Sequence, residues 1–514
     1  MPTRTERDPL GEKAVPADAY YGIQTQRAIE NFPISGLRAS ATFVVATMLV
    51  KRAAAEANVA IGQLDRTIGD AIMRAADEVL SGQLRDQFVV DVYQAGAGTS
   101  HNMNANEVLA NRASELLGES RGTYKRVHPN DHVNMGQSTN DVFPTATRLA
   151  LLLAALEPSG DLDVPPDART LEGALPIVVP RNGPALFQRP TLVGSARALV
   201  GTLDEKARAF AHIMKAGRTH LMDAVPITLG QEFSGFAASV ARAADEVEHA
   251  ARPLHELNLG ATAVGTGLNA DRAYTEGAAA NLARLTGLDL VPAANAFRVT
   301  QSMGDVAGFS GAVRRLAIEV GKIASDLRLL GMGPRAGLSE ILLPAVQPGS
   351  SIMPGKVNPS VPEMVNQVVF QVMGCDMTVA VSAEHGQLEL NVMMPVIAWN
   401  GLHACTILAN AMEALRVRTI EGLVADEARC RELLDRSSAA ATALSPYIGY
   451  AATAEVAKEA VRTGTPIHDI VRTRGLLPKE EIDRILSVEA MTSPGVVGRQ
   501  SPPKDRDATA REKS

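Results

Sequence analysis

The sequence predicts a mainly α-helical protein built around a long helical bundle. Three observations carry that expectation. Apolar residues make up 46% of the 514-residue chain but aromatics only 4%, so Ala, Leu, Val, Ile and Met must fill the core. Ala and Leu are the strongest helix formers, whereas strands favour β-branched and aromatic residues. Val313, Leu316, Val320, Ile323, Leu327 and Leu330 recur at spacings of three and four, a heptad-like seam with Arg314, Arg315, Lys322, Asp326 and Arg328 between its members. A second long run, from residue 363 to about 415, is rich in Val, Met, Leu and Ala, and helices of such length side by side make a bundle.

The other segments can be read in chain order. The start of the chain is turn-rich, with Pro9, Gly11, Pro16, Gly22 and Pro33. From about Ser40 to about Leu80 an Ala-rich stretch reads as helices broken at Gly62 and Gly69. Polar islands at residues 96–106 and 128–145 read as loops or helix starts between helical runs. Residues 158–190 hold seven of the 29 prolines, which no helix can traverse, and read as an excursion from one end of the bundle. The helical pattern resumes from about Leu192 to about Lys215, and Gly374, Gly386 and Pro395 are expected to break or kink the 363–415 run. From about Asp426, short helices with turns at Ser445-Pro446, residues 463–466 and Gly475 form a small cap, and a frayed tail starts near residue 493. The expected domains are residues 1–140, 141–425 with the insertion at 158–190, and 426–514.

Several function classes are disfavoured. Lys plus Arg number 50 against 57 Asp plus Glu, a net charge of −7, without the basic excess of a nucleic-acid binder. The longest uninterrupted apolar run, residues 149–156, is far short of the roughly 20 residues that span a bilayer. No apolar signal region follows Met1, and Cys375, Cys405 and Cys430 form neither a disulfide framework nor a C-x-x-C pair. A cytoplasmic setting without membrane or nucleic-acid partners is the simplest expectation. His128 and His132 are four apart, but Pro129 spoils a continuous helix between them. There is no phosphate-binding glycine loop, so no metal or cofactor is expected.

Residues 347–359 carry the densest chemistry: Ser350 and Ser351 follow Gly349, with Lys356 and Asn358 close behind. Hydroxyls, an amide and a cation on a glycine-hinged loop fit an anion site holding a base, and equally a flexible loop with a solvated lysine. Thr219 and His220 lie between two helical runs, and His220 is one of few histidines in a polar island. Thr99, Ser138, Thr139 and Asn140 stand where helices start. There they serve as N-caps, and the same helix starts attract carboxylates, so the two roles coexist.

The segment Gly349-Ser350-Ser351-Ile352-Met353-Pro354-Gly355-Lys356-Val357-Asn358-Pro359 resembles the signature of the aspartase/fumarase superfamily. Residues 97–107, 128–144 and 217–233 resemble three further superfamily segments, in the same order. Gln137-Ser138-Thr139-Asn140 and the stretches around Asn258, Val361 and Glu384 lean toward the aspartase branch, while His128-Pro129-Asn130-Asp131 is similar to a fumarase segment. His101, Met222, His385 and the insertion depart from both patterns. The resemblance implies a three-domain protomer, a homotetramer with a twenty-helix core, and active sites each shared by three subunits. It implies reversible elimination of ammonia from L-aspartate to give fumarate, through an aci-carboxylate. Ser350 would be the base on a closing loop, its alkoxide stabilised by N–H groups and by Lys356. Thr99, Ser138, Thr139 and Ser351 would bind the β-carboxylate, Lys356 and Asn358 the α-carboxylate, while Asn140, Thr219 and His220 would face the amino group. The alternatives are a class II fumarate hydratase and a catalytically silent scaffold of the same fold.

Overall fold

A computed structural model describes residues 2–156 and 191–496; the expected 158–190 excursion and nearly all of the expected tail lie outside the described residues. The chain divides into two compact units, one of residues 1–199, 240–324 and 363–415, the other of residues 200–239, 325–362 and 416–514.

The first unit opens on a feature the sequence pattern hides. β1 (Thr3–Asp8) and β2 (Gly11–Pro16) form an antiparallel hairpin closed at Asp8 and Gly11. Their side chains are mostly polar, so no apolar alternation marks them as strands. Arg4 pins the path of residues 16–21, donating to the carbonyls of Pro16 (2.9 Å), Ala19 (2.7 Å) and Tyr21 (2.7 Å). After α1 (Ile23–Asn31), Ser40 caps α2 (Ala41–Ala60) and Asp65 caps α3 (Arg66–Leu80). The break falls at residues 61–65; Gly69 lies inside α3, correcting the expected second interruption.

α4 (Thr99–Leu116) and α5 (Thr139–Ala155) grow out of the two polar islands. Pro144 sits inside α5 without ending it. Its missing N–H would have reached the Asn140 carbonyl four residues back. That carbonyl instead accepts from the Asn258 side-chain amide at 3.1 Å, so no buried acceptor is orphaned.

Beyond the insertion, α6 (Leu192–Ala209) stops well before Lys215. Residues 214–228 are a second hairpin, β3 (Met214–Thr219) and β4 (Met222–Thr228), which corrects the expectation of helix as far as Lys215. α7 (Leu229–Ala251) comes next, then β5 (Glu256–Leu257), α8 (Arg272–Thr286), β6 (Val291–Pro292) and α9 (Ala296–Gln301), with β5 and β6 paired in parallel. The seam lies on α10 (Gly304–Leu330), and all six seam residues are at most 5% exposed.

The 363–415 run is two helices, α11 (Ser360–Glu384) and α12 (Met394–Leu415). Gly386 falls between them and Pro395 occupies the first turn of α12, where a missing N–H is harmless. Gly374 continues α11 unbroken. β7 (Ile341–Leu342) pairs with β8 (Val424–Ala425) in the second unit, followed by α13 (Glu427–Arg436), which Asp426 caps. The last helices are α14 (Ser445–Ile448), α15 (Tyr450–Thr463), α16 (Ile467–Thr473), α17 (Lys479–Ile485) and α18 (Val488–Thr492). α14 to α17 pack around Leu444, Val456, Ile467, Ile470, Val471, Ile482 and Ile485, while Met491 of α18 packs against Met214, Ala216, Leu434 and Ala439. Pro446 starts α14 rather than marking a turn, again because the first helical turn tolerates it.

Candidate active site

Four of the expected ligands gather at helix starts in the first unit. Thr99 begins α4 and is exposed. The chain reaches it through Ala97 (φ 60°) and Gly98 (φ 87°), both left-handed. Gly98 has no substitute: an added Cβ would lie 2.0 Å from the Phe143 ring on α5. The glycine therefore sets how closely the two helix starts approach.

Ser138 caps α5 with a reciprocal pair of bonds: its Oγ accepts from Asn140 N at 3.2 Å, and Asp141 Oδ1 accepts from Ser138 N at 2.9 Å. The second oxygen of the buried Asp141 accepts from Gly260 N (3.1 Å) and Thr262 N (2.9 Å), tying the 258–262 loop to this helix start. Asn140 donates to the Ala263 carbonyl at 2.8 Å. Ser138, Thr139 and Asn140 are all half-buried, at a point where free N–H groups favour an anion.

Beneath them lies a polar network that joins the 97–107 and 128–144 segments and takes in Lys51, which lies outside every motif. Fully buried Lys51, on α2, donates to Asn134 Oδ1 (3.0 Å) and Gln137 Oε1 (2.9 Å). Asn134 Oδ1 also accepts from Asn102 and Asn106, each at 3.2 Å, and Asn102 Nδ2 reaches Thr139 Oγ1 at 3.1 Å. Burial pushes the Lys51 ammonium down to about 7, against the pull of the Asp141 carboxylate. One signal is present in the sequence: Lys51 interrupts an apolar row of α2 between Met48 and Ala55, both buried, one turn away on either side.

Thr219 and His220 lie in the second unit, exposed at the tip of the β3–β4 hairpin. Its two-residue turn, His220 (φ 55°) and Leu221 (φ 60°), is left-handed at both positions. Hairpins normally use Asn or Gly there, so the imidazole is displayed at a cost in backbone strain. The hairpin base is anchored by ions. Glu340, 0% exposed, is ion-paired with Lys215 at 3.0 Å and accepts from Arg218 at 3.0 and 3.1 Å, while Lys215 donates to Glu232 at 2.7 Å.

The 349–358 loop, in the same unit, is tied at its neck. Gly349 N donates to Lys356 O and Asn358 Nδ2 donates to Gly349 O, each at 2.8 Å. A Cβ at Gly349 would fall 2.6 Å from Lys356 O, so this doubling-back requires glycine. Within the loop, Ser350 Oγ accepts from two backbone N–H groups, Ile352 (3.2 Å) and Met353 (3.0 Å). Ser350 is half-buried, whereas Ser351 and Lys356 are exposed. Thus the structure groups Thr99, Ser138, Thr139 and Asn140 in one unit, and Thr219, His220, Ser350, Ser351, Lys356 and Asn358 in the other.

The departures from the family pattern have separate locations. Met222 is exposed beside the His220 turn, and exposed His385 bonds the Val381 carbonyl at 3.0 Å. His101 lies inward, 2% exposed, against Phe43 and Phe143. Thr47 Oγ1 donates to Phe43 O, so it accepts from His101 Nε2 at 2.9 Å, which assigns the proton to Nε2. Burial, with the Lys51 charge, pushes this imidazole down to about 3.

A depressed folded-state value means that the unfolded chain takes up the proton first as pH falls. The contribution is complete above about pH 6.5 and fades toward pH 3. At pH 5 the loss is about 2 kcal/mol by linkage. Urea titrations at pH 7.5 and pH 5 should show His101→Leu losing that much less stability on acidification than the parent chain.

The sequence matches the Lyase family over residues 11–159 and 186–374, and the family described as Fumarase C C-terminus over residues 441–493. It is 45% identical to an aspartate ammonia-lyase from a Bacillus species, over 97% of this chain and 99% of that one. It is also 48% identical to a class II fumarate hydratase from Halobacterium salinarum, over 96% and 98% of the two chains. Its fold is similar to a crystal structure of a fumarate lyase:delta crystallin from Brucella melitensis bound to cobalt, with a TM-score of 0.86 and 46% identity, covering 96% of this chain and 100% of that one.

Proposed function

This chain belongs to the aspartase/fumarase superfamily of lyases, and from that premise we propose that it is an aspartate ammonia-lyase working through a serine base. The reaction is the reversible anti elimination of ammonia from L-aspartate to give fumarate. The observation that carries the mechanism is the pair of backbone N–H groups on Ser350 Oγ. A free serine hydroxyl is far too weak a base to take a Cβ proton. Two N–H donors stabilise the alkoxide, and Lys356 on the same loop adds positive charge once the loop closes on substrate.

Removal of the Cβ proton drives negative charge onto the β-carboxylate. Thr99, Ser138, Thr139 and Ser351 are assigned to that group, with helix starts that favour an anion. Lys356 and Asn358 hold the α-carboxylate, and Asn140, Thr219 and His220 face the departing amine. No cofactor enters the scheme.

We read the functional state as a homotetramer, each active site combining segments from three subunits. Phe370, Met373, Met377 and Val381 form an exposed apolar stripe along α11, with spacings of three and four. By length and composition α11 could cross a membrane, and we assign its stripe to contacts between copies within the twenty-helix core. Exposed Leu221, Met222, Ile352 and Met353, beside the proposed catalytic residues, are assigned to cover from neighbouring subunits. The protomer is read as three domains, residues 1–140, 141–425 and 426–514. A cytoplasmic setting fits its three unpaired, buried cysteines.

Class II fumarate hydratase is the second reading, favoured by the 48% identity to the Halobacterium enzyme and by His128-Pro129-Asn130-Asp131. Supplying purified protein with L-aspartate and, separately, L-malate separates the two. Fumarate from aspartate at a rate at least about a hundredfold above that from malate is expected, since a site built for one polar group rejects its replacement strongly. The reverse ratio would make the chain a hydratase, and no turnover of either would make it a silent scaffold.

A further inference from the structure

We propose that Asn102 is a positioning residue that fixes the Thr139 hydroxyl as a donor to the substrate carboxylate. Among the described residues the Asn102 amide is bonded on one side only. It is 2% exposed, and its Nδ2 serves two acceptors, Asn134 Oδ1 at 3.2 Å and Thr139 Oγ1 at 3.1 Å. Its carbonyl oxygen, equally buried, has no hydrogen-bond partner among the described residues. An amide that leaves its acceptor unmatched while aiming both hydrogens is held from the donor side.

Asn134 does the holding. Its Oδ1 accepts from Lys51, Asn102 and Asn106, while its Nδ2 donates to the Gln137 carbonyl at 3.0 Å. A side-chain oxygen facing an ammonium and two amides cannot be exchanged for an NH2 group without setting donor against donor. Lys51 also grips Gln137, the residue just before Ser138. Lys51 Nζ thus sits between two neutral amide oxygens, where it orients the 134–139 segment.

The consequence falls on Thr139. A hydroxyl has one proton and two lone pairs. With Asn102 donating to Thr139 Oγ1, the hydroxyl is spared from donating inward, and its proton is left for a ligand. That is the polarity a carboxylate needs, and more so as negative charge builds on it during proton removal. The proposal rests on Thr139 being a carboxylate ligand.

A double-mutant cycle with Asn102→Leu and Thr139→Val tests it in the full-length enzyme, using whichever of aspartate or malate is turned over, with fumarate binding by calorimetry in parallel. Thr139→Val should lower kcat/KM about a hundredfold, as the loss of one oxyanion donor does. Asn102→Leu should lower it about tenfold, mainly in kcat, because the charge it helps to meet develops in the transition state. In the Thr139→Val background the Asn102 substitution should cost less than about twofold.

A merely structural role would reduce activity by the same factor in both backgrounds, and that result would overturn the proposal. If Thr139→Val changes neither turnover nor fumarate binding, the ligand role of Thr139 fails and the proposal fails with it. If Thr139→Val is impaired but the two effects multiply, the fault lies with Asn102 alone. Should the leucine variant not assemble, Asn102→Ala runs the same cycle without adding bulk.

Discussion

Ser350→Ala should abolish most turnover, by about three orders of magnitude or more, while leaving the assembly and its melting temperature nearly unchanged. A positioned general base contributes roughly 10²–10⁴-fold. Here the base is also the group whose charged form the loop is proposed to stabilise. Among the described residues the side chain bonds only within its own loop, to the N–H groups of Ile352 and Met353, and both of these are exposed, so water can replace it. Stopped assays and size-exclusion chromatography on the same preparation check both halves. Near-parental turnover in a variant that elutes like the parent would remove the base assignment.

The second large effect is on stability. Glu340→Ala should destabilise the second unit by about 3–5 kcal/mol, the range for removing one partner from a buried ion cluster. Glu340 is fully buried and ion-paired with both Lys215 and Arg218. Its deletion strands Lys215, itself 2% exposed, with Glu232 alone. Those residues root the hairpin that presents Thr219 and His220, so turnover should fall with stability. Glu340→Gln keeps the shape and should cost less, roughly half as much, since an amide oxygen still accepts a hydrogen bond. Denaturant titrations of the two variants give the comparison; equal midpoints for the parent and Glu340→Ala would exclude the anchoring role.

Legibility in the sequence tracks the strength of local physical signals. The seam of α10 can be read because period and burial coincide: each of its six apolar residues is buried in the folded chain. The α5 start is visible as a cluster of capping residues, and Ser138 with Asp141 does form the reciprocal cap. Gly374 misleads because a helical glycine lowers propensity without breaking a helix that packing holds. The 214–228 hairpin escapes notice because Lys215, Gly217 and Arg218 carry no apolar alternation. It is specified by ion pairs to Glu340, more than a hundred residues away, which no local window contains.

The site divides in the same way. Residues on recognisable motifs, such as Ser350, Lys356 and Ser138, can be singled out from their neighbours in the chain. Lys51 stands on no motif, and it meets Asn134, which in turn meets Asn102 from another segment, only after folding. Ser138 illustrates the converse: it caps α5, while Thr99 follows the N-cap Gly98 of α4 and does not cap that helix, and helix starts also favour anions. Their sequence position alone leaves both roles open.

Fumarate supplied with an excess of ammonium in deuterated water poses the central question in a single tube. The expected principal product is aspartate, carrying one deuterium at Cβ placed anti to the new amino group. NMR of the product mixture reads both its identity and its stereochemistry. Malate as the principal product, or deuterium on the opposite face, would contradict the proposed anti elimination of ammonia.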